Sequence, residues 1–593
     1  MTTKATRSPR RRTVVALAVV LAILVGFVIR LVDIQVVNAD DHVADSMDRA
    51  FGTSQPLYGT RGTIIDSEGQ TLAGSIFLYD CQLDPLLITQ IDADIAAGES
   101  ERRPWQEVSV DAAAIVDMSV DDVRAIVGDA LAENPETRFA YLKRSVSTEE
   151  YRELADLGMP YIACFSHPSR AYPDGAVGGN LVGFMGTEGA LEGLELSQDS
   201  CLAATDGTRT YQKGKDGVVI PGTERQVPAT NGGTLQLTIN RDLQWYMQQL
   251  IGEQVQNMRA QSGAIMVVEV ETGKIRAAAE YPTVDPNDPA ASDTDDRRSR
   301  IFNDWFEPGS TFKALTAATL IDAGGQTPTS TVVASGLETF DNGARVRDAF
   351  AHEAYEYTLA GVLIDSSNAG ISRFSERVSP SVRYDYLKKF GIGDGSAVDF
   401  PGEQSGLVYP SDQWDNQTIY NTSYGQGLTT TMPELAGAYD AIANDGVRMP
   451  LSLVESCTLA DGTVITPELP EPTRVISEET AEQTQLMLEN VFLQASYADQ
   501  VKIPGYRVAG KTGTGEKSDE NGRYKVGAYY TTMIGFAPAD DPEYLVVVTL
   551  DEPQKVKSSS ANATAFQEAM TQVLKTYRVM PSTAEPKELP KFG

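Results

Sequence analysis

Glu307-Pro308-Gly309-Ser310-Thr311-Phe312-Lys313 runs directly into Ala314-Leu315-Thr316-Ala317-Ala318-Thr319-Leu320-Ile321, and the run stops before Gly324-Gly325. Pro-Gly interrupts whatever precedes it. The good helix formers after it predict a helix with Ser310 at or near its start and Lys313 one turn on, on the same face. That spacing suits a nucleophile and its base. A serine hydroxyl attacks a carbonyl only when a base takes its proton. A lysine amine serves as that base when burial or a neighbouring cation lowers its pKa. The helix start adds partial positive charge and free N–H groups where an oxyanion can form.

Ser-x-x-Lys alone arises by chance about once or twice in a chain of this length, and then it is an N-cap serine beside a surface lysine. Two later stretches give it weight: Ser366-Ser367-Asn368 and Lys511-Thr512-Gly513-Thr514. The order SxxK, SxN, KTG is the motif set of penicillin-binding proteins and serine β-lactamases. Ser-x-Asn is common by chance, Lys-Thr-Gly is not, and the ordered triple is specific.

Composition narrows the field. A chain of 593 residues with 41% hydrophobic content can bury large cores, and its length predicts about two to four domains. A formal charge of -33 argues against nucleic acid as a partner, since phosphate binding needs a basic surface. The same negative field raises a lysine's pKa. Lys313 must therefore be tuned locally, by Lys511 as a like charge and by exclusion of water. Three histidines and four cysteines leave little material for a metal site, and no metal or cofactor is expected. Cys81, Cys164, Cys201 and Cys457 show no C-x-x-C spacing, and their pairing is left open among the combinations that four cysteines allow.

Along the chain, residues 1–12 carry Lys4, Arg7, Arg10, Arg11 and Arg12 and no acid. Val14 to Ile29 is apolar without interruption, and Leu31 to Val37 continues the pattern past Arg30. This predicts a membrane anchor over 13–36, with a cytoplasmic basic tail at 1–12 and about nine-tenths of the chain outside. A cleaved signal peptide is the alternative, but the apolar run is long for one. Arg61 to Ala73 reads as strand, turn, strand. Helical patches lie at Asp111 to Met118, Val120 to Glu133 and Thr148 to Leu157. The character changes near Asn231-Gly232-Gly233. Beyond it come a short strand from Leu235 to Ile239, a helix capped by Asn240, and a hairpin of Ala264 to Val270 with Ile275 to Tyr281. Strands are expected at Arg507 to Thr514, Tyr529 to Phe536 and Tyr544 to Leu550, then a helix from Ala563 to Tyr577. Five strands flanked by helices, with a helical middle holding Ser310 and Ser366, make an α+β domain. The Pro-, Lys- and Glu-rich tail, 580–593, is expected to be disordered.

The chain resembles the class B penicillin-binding proteins, monofunctional peptidoglycan D,D-transpeptidases. The likeness spans Arg30-Leu31 and Gln35, the Arg61-Gly62 to Ala73 box, Arg170 to Gly175, Gly193-Leu194-Glu195, the three motifs, Tyr424-Gly425-Gln426-Gly427 with Thr431 and Pro433, and Ala438 to Gly446. Glu307-Pro308-Gly309 is similar to the division-type members. Ser67-Glu68 and Gly515-Glu516 depart from residues common in the family. The resemblance implies a pedestal of the dimerisation type over 37–233. It also implies a transpeptidase domain over 234–579, with a five-stranded sheet and a helical subdomain like those of β-lactamases. No glycosyltransferase module is expected. Ser310 would be the nucleophile and Lys313 its base, with Ser366 relaying a proton and Asn368 contacting the donor amide. Lys511 would supply charge, Thr512, Gly513 and Thr514 would bind the substrate carboxylate, and the N–H groups of Ser310 and Thr514 would form an oxyanion hole. Peptidoglycan stem peptides and β-lactams are the implied ligands. A SEDS-type membrane glycan polymerase and division proteins are the implied partners.

Other readings compete. A D,D-carboxypeptidase, a β-lactamase or a β-lactam-binding sensor could use the same fold. Gly505-Tyr506-Arg507-Val508-Ala509-Gly510-Lys511-Thr512 also fits the phosphate loop G-x-x-x-x-G-K-[ST] of ATP-binding proteins. That motif needs a helix directly after Thr512, and Gly513-Thr514-Gly515 stand there. His352, a loop histidine near Ser366 in sequence, is expected to be solvated.

Overall fold

The structure, a computed structural model, describes residues 9–32, 53–212, 219–518 and 523–593. The expected basic tail before position 9 and the anchor's last residues, 33–36, lie outside them. The chain divides into two units. The first, residues 1–59 with 204–230, contains the helix Pro9–Val32 and a three-stranded antiparallel sheet of Thr53–Leu57, Gly207–Tyr211 and Arg225–Val227. Within that helix Val14–Val32 is long and apolar enough to cross a membrane, and its side chains are exposed.

The second unit, residues 60–203 with 231–593, holds everything else. One sheet in it is mixed. Thr234–Leu237 pairs in parallel with Thr63–Ile65 and antiparallel with Val454–Thr458. The boundary expected between 233 and 234 therefore falls beside a strand that joins both sides of it. The boxes around this sheet are structural. Buried Glu195 takes the guanidinium of Arg61 on one oxygen and that of Arg170 on the other, each at 2.6 Å. A buried carboxylate is tolerable only when paired in this way. The helix expected at Asp111 to Met118 runs instead from Trp105 to Ile115. Pro104 sits extended at its N-cap, and Trp105 buries itself in the first turn. The cysteines pair as Cys81–Cys164 and Cys201–Cys457.

The catalytic-type domain is built on one antiparallel sheet. Its elements are α1 (Arg241–Met258), β1 (Ser262–Glu269), β2 (Ile275–Tyr281), α2 (Phe312–Asp322), α3 (Leu359–Ile364), α4 (Asn368–Ser375), α5 (Met432–Ala443), α6 (Glu478–Gln494), β3 (Ala509–Ser518), β4 (Tyr524–Ala537), β5 (Tyr544–Asp551) and α7 (Ala563–Thr576). The strand order is β2-β1-β5-β4-β3. Both faces are covered, so β1 and β5 are apolar at nearly every position rather than alternating. Ile265, Val267, Val546 and Val548 face a core with α1 and α7, and Met266, Val268, Leu545 and Val547 face one with α5. Asn240 caps α1, accepting from the Leu243 N–H at 2.9 Å, and Leu243, Met247, Ile251 and Val255 form its buried stripe.

The tail expected to be disordered from 580 is packed. Leu589 is buried, and the segment around it takes hydrogen bonds from α6 and from the chain just before α3. Its composition carries little apolar mass, but its backbone carbonyls meet donors on the domain surface, and these bonds add to the burial of Leu589.

Candidate active site

Ser310 lies in a single 3-10 turn, Gly309–Thr311, that leads into α2. Two neighbours grip this turn. On one side the Gly309 N–H donates to Gly425 O at 3.0 Å, and Tyr439 donates to Thr311 O at 2.7 Å. On the other side runs β3. Gly309 has φ of 55°, and a Cβ there would lie 2.6 Å from Thr514 O, so only glycine fits. Gly513 is equally constrained, since a Cβ would lie 2.4 Å from Pro308 O. The glycine of Lys-Thr-Gly thus lets a strand lie directly against the serine's turn.

This contact brings the separate motifs together. Lys313 Nζ is 2.8 Å from Ser310 Oγ, 3.1 Å from Ser366 Oγ and 2.6 Å from Ser366 O. Lys511 Nζ donates to Ser366 Oγ at 3.0 Å from the opposite side. One hydroxyl therefore bridges two lysine amines. Ser366 holds this place with φ of 54°, a left-handed backbone that costs a non-glycine residue about 1 kcal/mol. Asn368 opens α4, with its side chain on Arg347 O at 3.2 Å rather than on the lysines. Thr512 Oγ1 is 3.4 Å from the Tyr497 hydroxyl. Thr514 lines the serine turn through its backbone.

Both lysines are fully buried. Burial is the main cause that holds Lys313 well below the ordinary lysine range, the Lys511 charge adds to it, and the Asp348 carboxylate opposes it. Burial pushes Lys511 down to about 7. Local desolvation thus outweighs the chain's negative field. An amine of this kind, against a half-buried serine hydroxyl, can accept that serine's proton at neutral pH.

Sequence reasoning missed the support behind Ser366. Asp348 accepts from Ser367 Oγ at 2.7 Å and from the Ala369 N–H at 2.9 Å. His352 Nε2 lies 2.9 Å from the same carboxylate, and its side chain is only 2% exposed. The expectation of a solvated histidine is therefore corrected, because the ring also stacks on Tyr355. No short-range pattern announces Asp348; it meets the Ser-x-Asn turn only through the fold. The phosphate-loop alternative has no geometry here, since Lys511 and Thr512 lie within β3 and no helix comes after them there.

Comparison with known proteins agrees with this architecture. Residues 263–571 match the penicillin binding protein transpeptidase domain, and residues 56–237 match the penicillin-binding protein dimerisation domain. Penicillin-binding protein PbpB of Mycolicibacterium smegmatis is 33% identical over 588 residues, covering 94% of this chain and 89% of the relative. Peptidoglycan D,D-transpeptidase FtsI of Escherichia coli is 30% identical over 567 residues, covering 95% and 90%. The crystal structure of penicillin-binding protein 3 of Mycobacterium tuberculosis with aztreonam superposes with a TM-score of 0.69 at 28% identity, over 90% of this chain and 99% of that one. A peptidoglycan synthetase of Bifidobacterium adolescentis gives a TM-score of 0.71 at 28% identity, over 91% and 100%. With both modules matched in order and the likeness running nearly end to end, the chain belongs to the class B penicillin-binding proteins, the family of peptidoglycan D,D-transpeptidases.

Proposed function

We propose that this protein is a membrane-anchored serine D,D-transpeptidase that cross-links peptidoglycan stem peptides during cell division and is acylated by β-lactams. The observation that carries the reading is the 2.8 Å contact between Ser310 Oγ and a buried Lys313 amine held well below its usual pKa. Ser310 Oγ attacks the carbonyl between the two terminal D-alanines, and its proton passes to Lys313 Nζ. The oxyanion forms against the N–H groups of Ser310 and Thr514, a type of contact worth about 3 kcal/mol per donor in the transition state. The C–N bond then breaks. The proton held on Lys313 returns through Ser366 Oγ to the leaving D-alanine amine, and an ester on Ser310 remains. The amine of a second stem peptide attacks that ester, and its proton returns to Ser310. Asn368 orients the donor amide, and Lys511 with Thr512, Gly513 and Thr514 receives the terminal carboxylate.

The helix Pro9–Val32 is the anchor. The basic residues at 1–12 place the N-terminus in the cytoplasm and the bulk of the chain outside. Two disulfides in that bulk suit an oxidising compartment. The pedestal is assigned to 37–233 and the transpeptidase domain to 234–579. Division rather than elongation is favoured by Glu307-Pro308-Gly309 and by the relative named FtsI. A SEDS-type glycan polymerase and division proteins are the proposed partners.

The test is intact-protein mass spectrometry of the full chain in detergent with a penicillin, then incubation with stem peptide and an amine acceptor. One adduct on Ser310, absent in Ser310→Ala, and a cross-linked product are expected. An adduct that persists in Ser310→Ala refutes the assignment. Hydrolysis without cross-linking makes the protein a carboxypeptidase.

A further inference from the structure

Segment 587–593 lies on the domain as a strap, and its contacts converge on α3, the helix that ends just before Ser366. On one side it is held by α6. Asn490 Nδ2 donates to Lys587 O at 2.9 Å, Asn490 Oδ1 accepts from the Leu589 N–H at 2.8 Å, and Gln494 Nε2 donates to Leu589 O at 3.0 Å. Helix α6 packs on β3, where a Cβ at Gly510, next to Lys511, would lie 2.5 Å from the Phe492 ring. On its other side the strap crosses the start of α3. Thr358, the N-cap of α3, donates its hydroxyl to Pro590 O at 2.6 Å and its N–H to Lys591 O at 3.0 Å. A Cβ on Gly361 would lie 1.9 Å from Lys591 O, so the strap's backbone presses on the first turn of α3. Phe592 bridges to Tyr357 and sets its ring against Tyr355 and Tyr357.

The side chain of Lys591 reaches the other end of the same helix. Its Nζ donates to Asp365 Oδ1 at 2.7 Å. Asp365 is the C-cap of α3 and directly precedes Ser366. A carboxylate at a helix C-terminus opposes the helix dipole; the Lys591 ammonium cancels that opposition. One residue therefore fixes α3 at both ends, by its carbonyl at the N-cap and by its ammonium at the C-cap. Immediately beyond the C-cap stands the left-handed Ser366, whose carbonyl and hydroxyl both meet Lys313. A strained residue keeps its backbone only where its surroundings over-determine it.

We propose that Lys591 is a positioning residue for Ser366, and that the strap 587–593 sets the register of α3 so that the Ser366 hydroxyl sits between the two lysines. The proposal rests on the serine transpeptidase reading. Lys591 touches no substrate. It acts through Asp365 and the last turn of α3.

The experiment is stopped-flow acylation of the full-length protein in detergent by a fluorescent penicillin, over a range of concentrations that separates the pre-covalent Kd from the first-order acylation step. In Lys591→Met the acylation step is expected to slow about tenfold, within the range that small misplacements of a reacting group produce, while Kd stays within about twofold. Lys591→Arg, which keeps the charge, should recover most of the rate. Asp365→Asn should match Lys591→Met, and the double variant should be no slower than either single one. Should Lys591→Met not fold, the isosteric Asp365→Asn carries the same test. An unchanged acylation step in Lys591→Met or Asp365→Asn overturns the proposal. So does an additive double variant, or a loss that Lys591→Arg does not recover. Wild-type protein that is not acylated at Ser310 instead overturns the transpeptidase reading, so the two failures are distinct.

Discussion

Replacing Ser366 separates its two roles, as a hydroxyl and as a backbone. Its Oγ lies 3.1 Å from Lys313 Nζ and 3.0 Å from Lys511 Nζ. Removing it leaves each buried amine one acceptor short, at about 1.5–3 kcal/mol per contact if charged. On the proposed mechanism it also removes the group that returns a proton to the leaving amine, a step worth roughly 10²–10⁴ in rate. Ser366→Ala and Ser366→Gly should both slow acylation by about 10²-fold or more. Their stabilities should differ. At φ of 54° alanine keeps the left-handed strain and glycine does not. Glycine gives back about 0.4–1 kcal/mol of that ~1–2 kcal/mol gain through its freer unfolded chain, so the glycine variant should be the more stable by up to about 1 kcal/mol. Stopped-flow acylation and chemical denaturation of the same preparations measure the two effects. Acylation of both variants at near the wild-type rate would remove Ser366 from the proton path. A glycine variant less stable than the alanine one would mean that the turn is not left-handed in solution.

Lys313→Ala should slow acylation by roughly 10²–10⁴ with circular dichroism unchanged; an unaltered rate at neutral pH would make Lys313 only a structural lysine. Lys511→Arg keeps the charge with a bulkier, planar head, so acylation should be slowed but measurable, and Lys511→Met should be much slower. Calorimetry should detect no ATP binding to the wild type. Micromolar ATP binding that is lost in Lys511→Met, with acylation intact, would sink the transpeptidase reading of β3. Because burial pushes Lys511 down to about 7, it is mostly neutral at pH 8, and a carboxylate arriving beside it favours the charged form. Binding of a stem-peptide analogue at pH 8 should therefore take up a proton, seen as a heat that depends on the buffer's ionisation enthalpy. Heats that do not vary with buffer would contradict the proposed carboxylate site.

The cluster around Ser310 was legible because Ser310 and Lys313 sit one helical turn apart and because a strand edge that touches a serine turn needs glycine at fixed positions. Ser310 with Lys313, and Lys511 with Gly513, are local patterns of that kind. The sheet was legible for a related reason: β1 and β5 are continuous apolar runs and α1 carries an apolar stripe behind an Asn cap. The features that escaped were decided at long range. Asp348 and His352 reach the Ser-x-Asn turn only through the fold. The cysteine pairs close separations of 83 and 256 residues that no spacing rule selects. Segment 587–593 reads as disordered because order there comes from long-range contacts: backbone carbonyls, one ion pair and two isolated apolar side chains, Leu589 and Phe592. Trp105 begins its helix earlier than the pattern around Asp111 to Met118 implies, because one large buried ring outweighs a weak periodicity.

The strand order has a consequence for the making of the protein. β5 lies between β1 and β4, and β3, which carries Lys511, is the edge strand beyond β4. A nascent chain that has reached residue 500 already contains Ser310, Lys313 and Ser366, yet β1 has only β2 beside it and nothing covers the lysine from the side of β3. Neither cause of the Lys313 shift is then in place. Without Lys511 beside it and with its burial incomplete, the amine is expected to sit nearer the ordinary lysine range. On the proposed mechanism, Ser310 therefore gains its base only when the stretch 509–551 closes the sheet. On that mechanism, the order in which the strands leave the ribosome delays the reactivity of Ser310 until the sheet is complete.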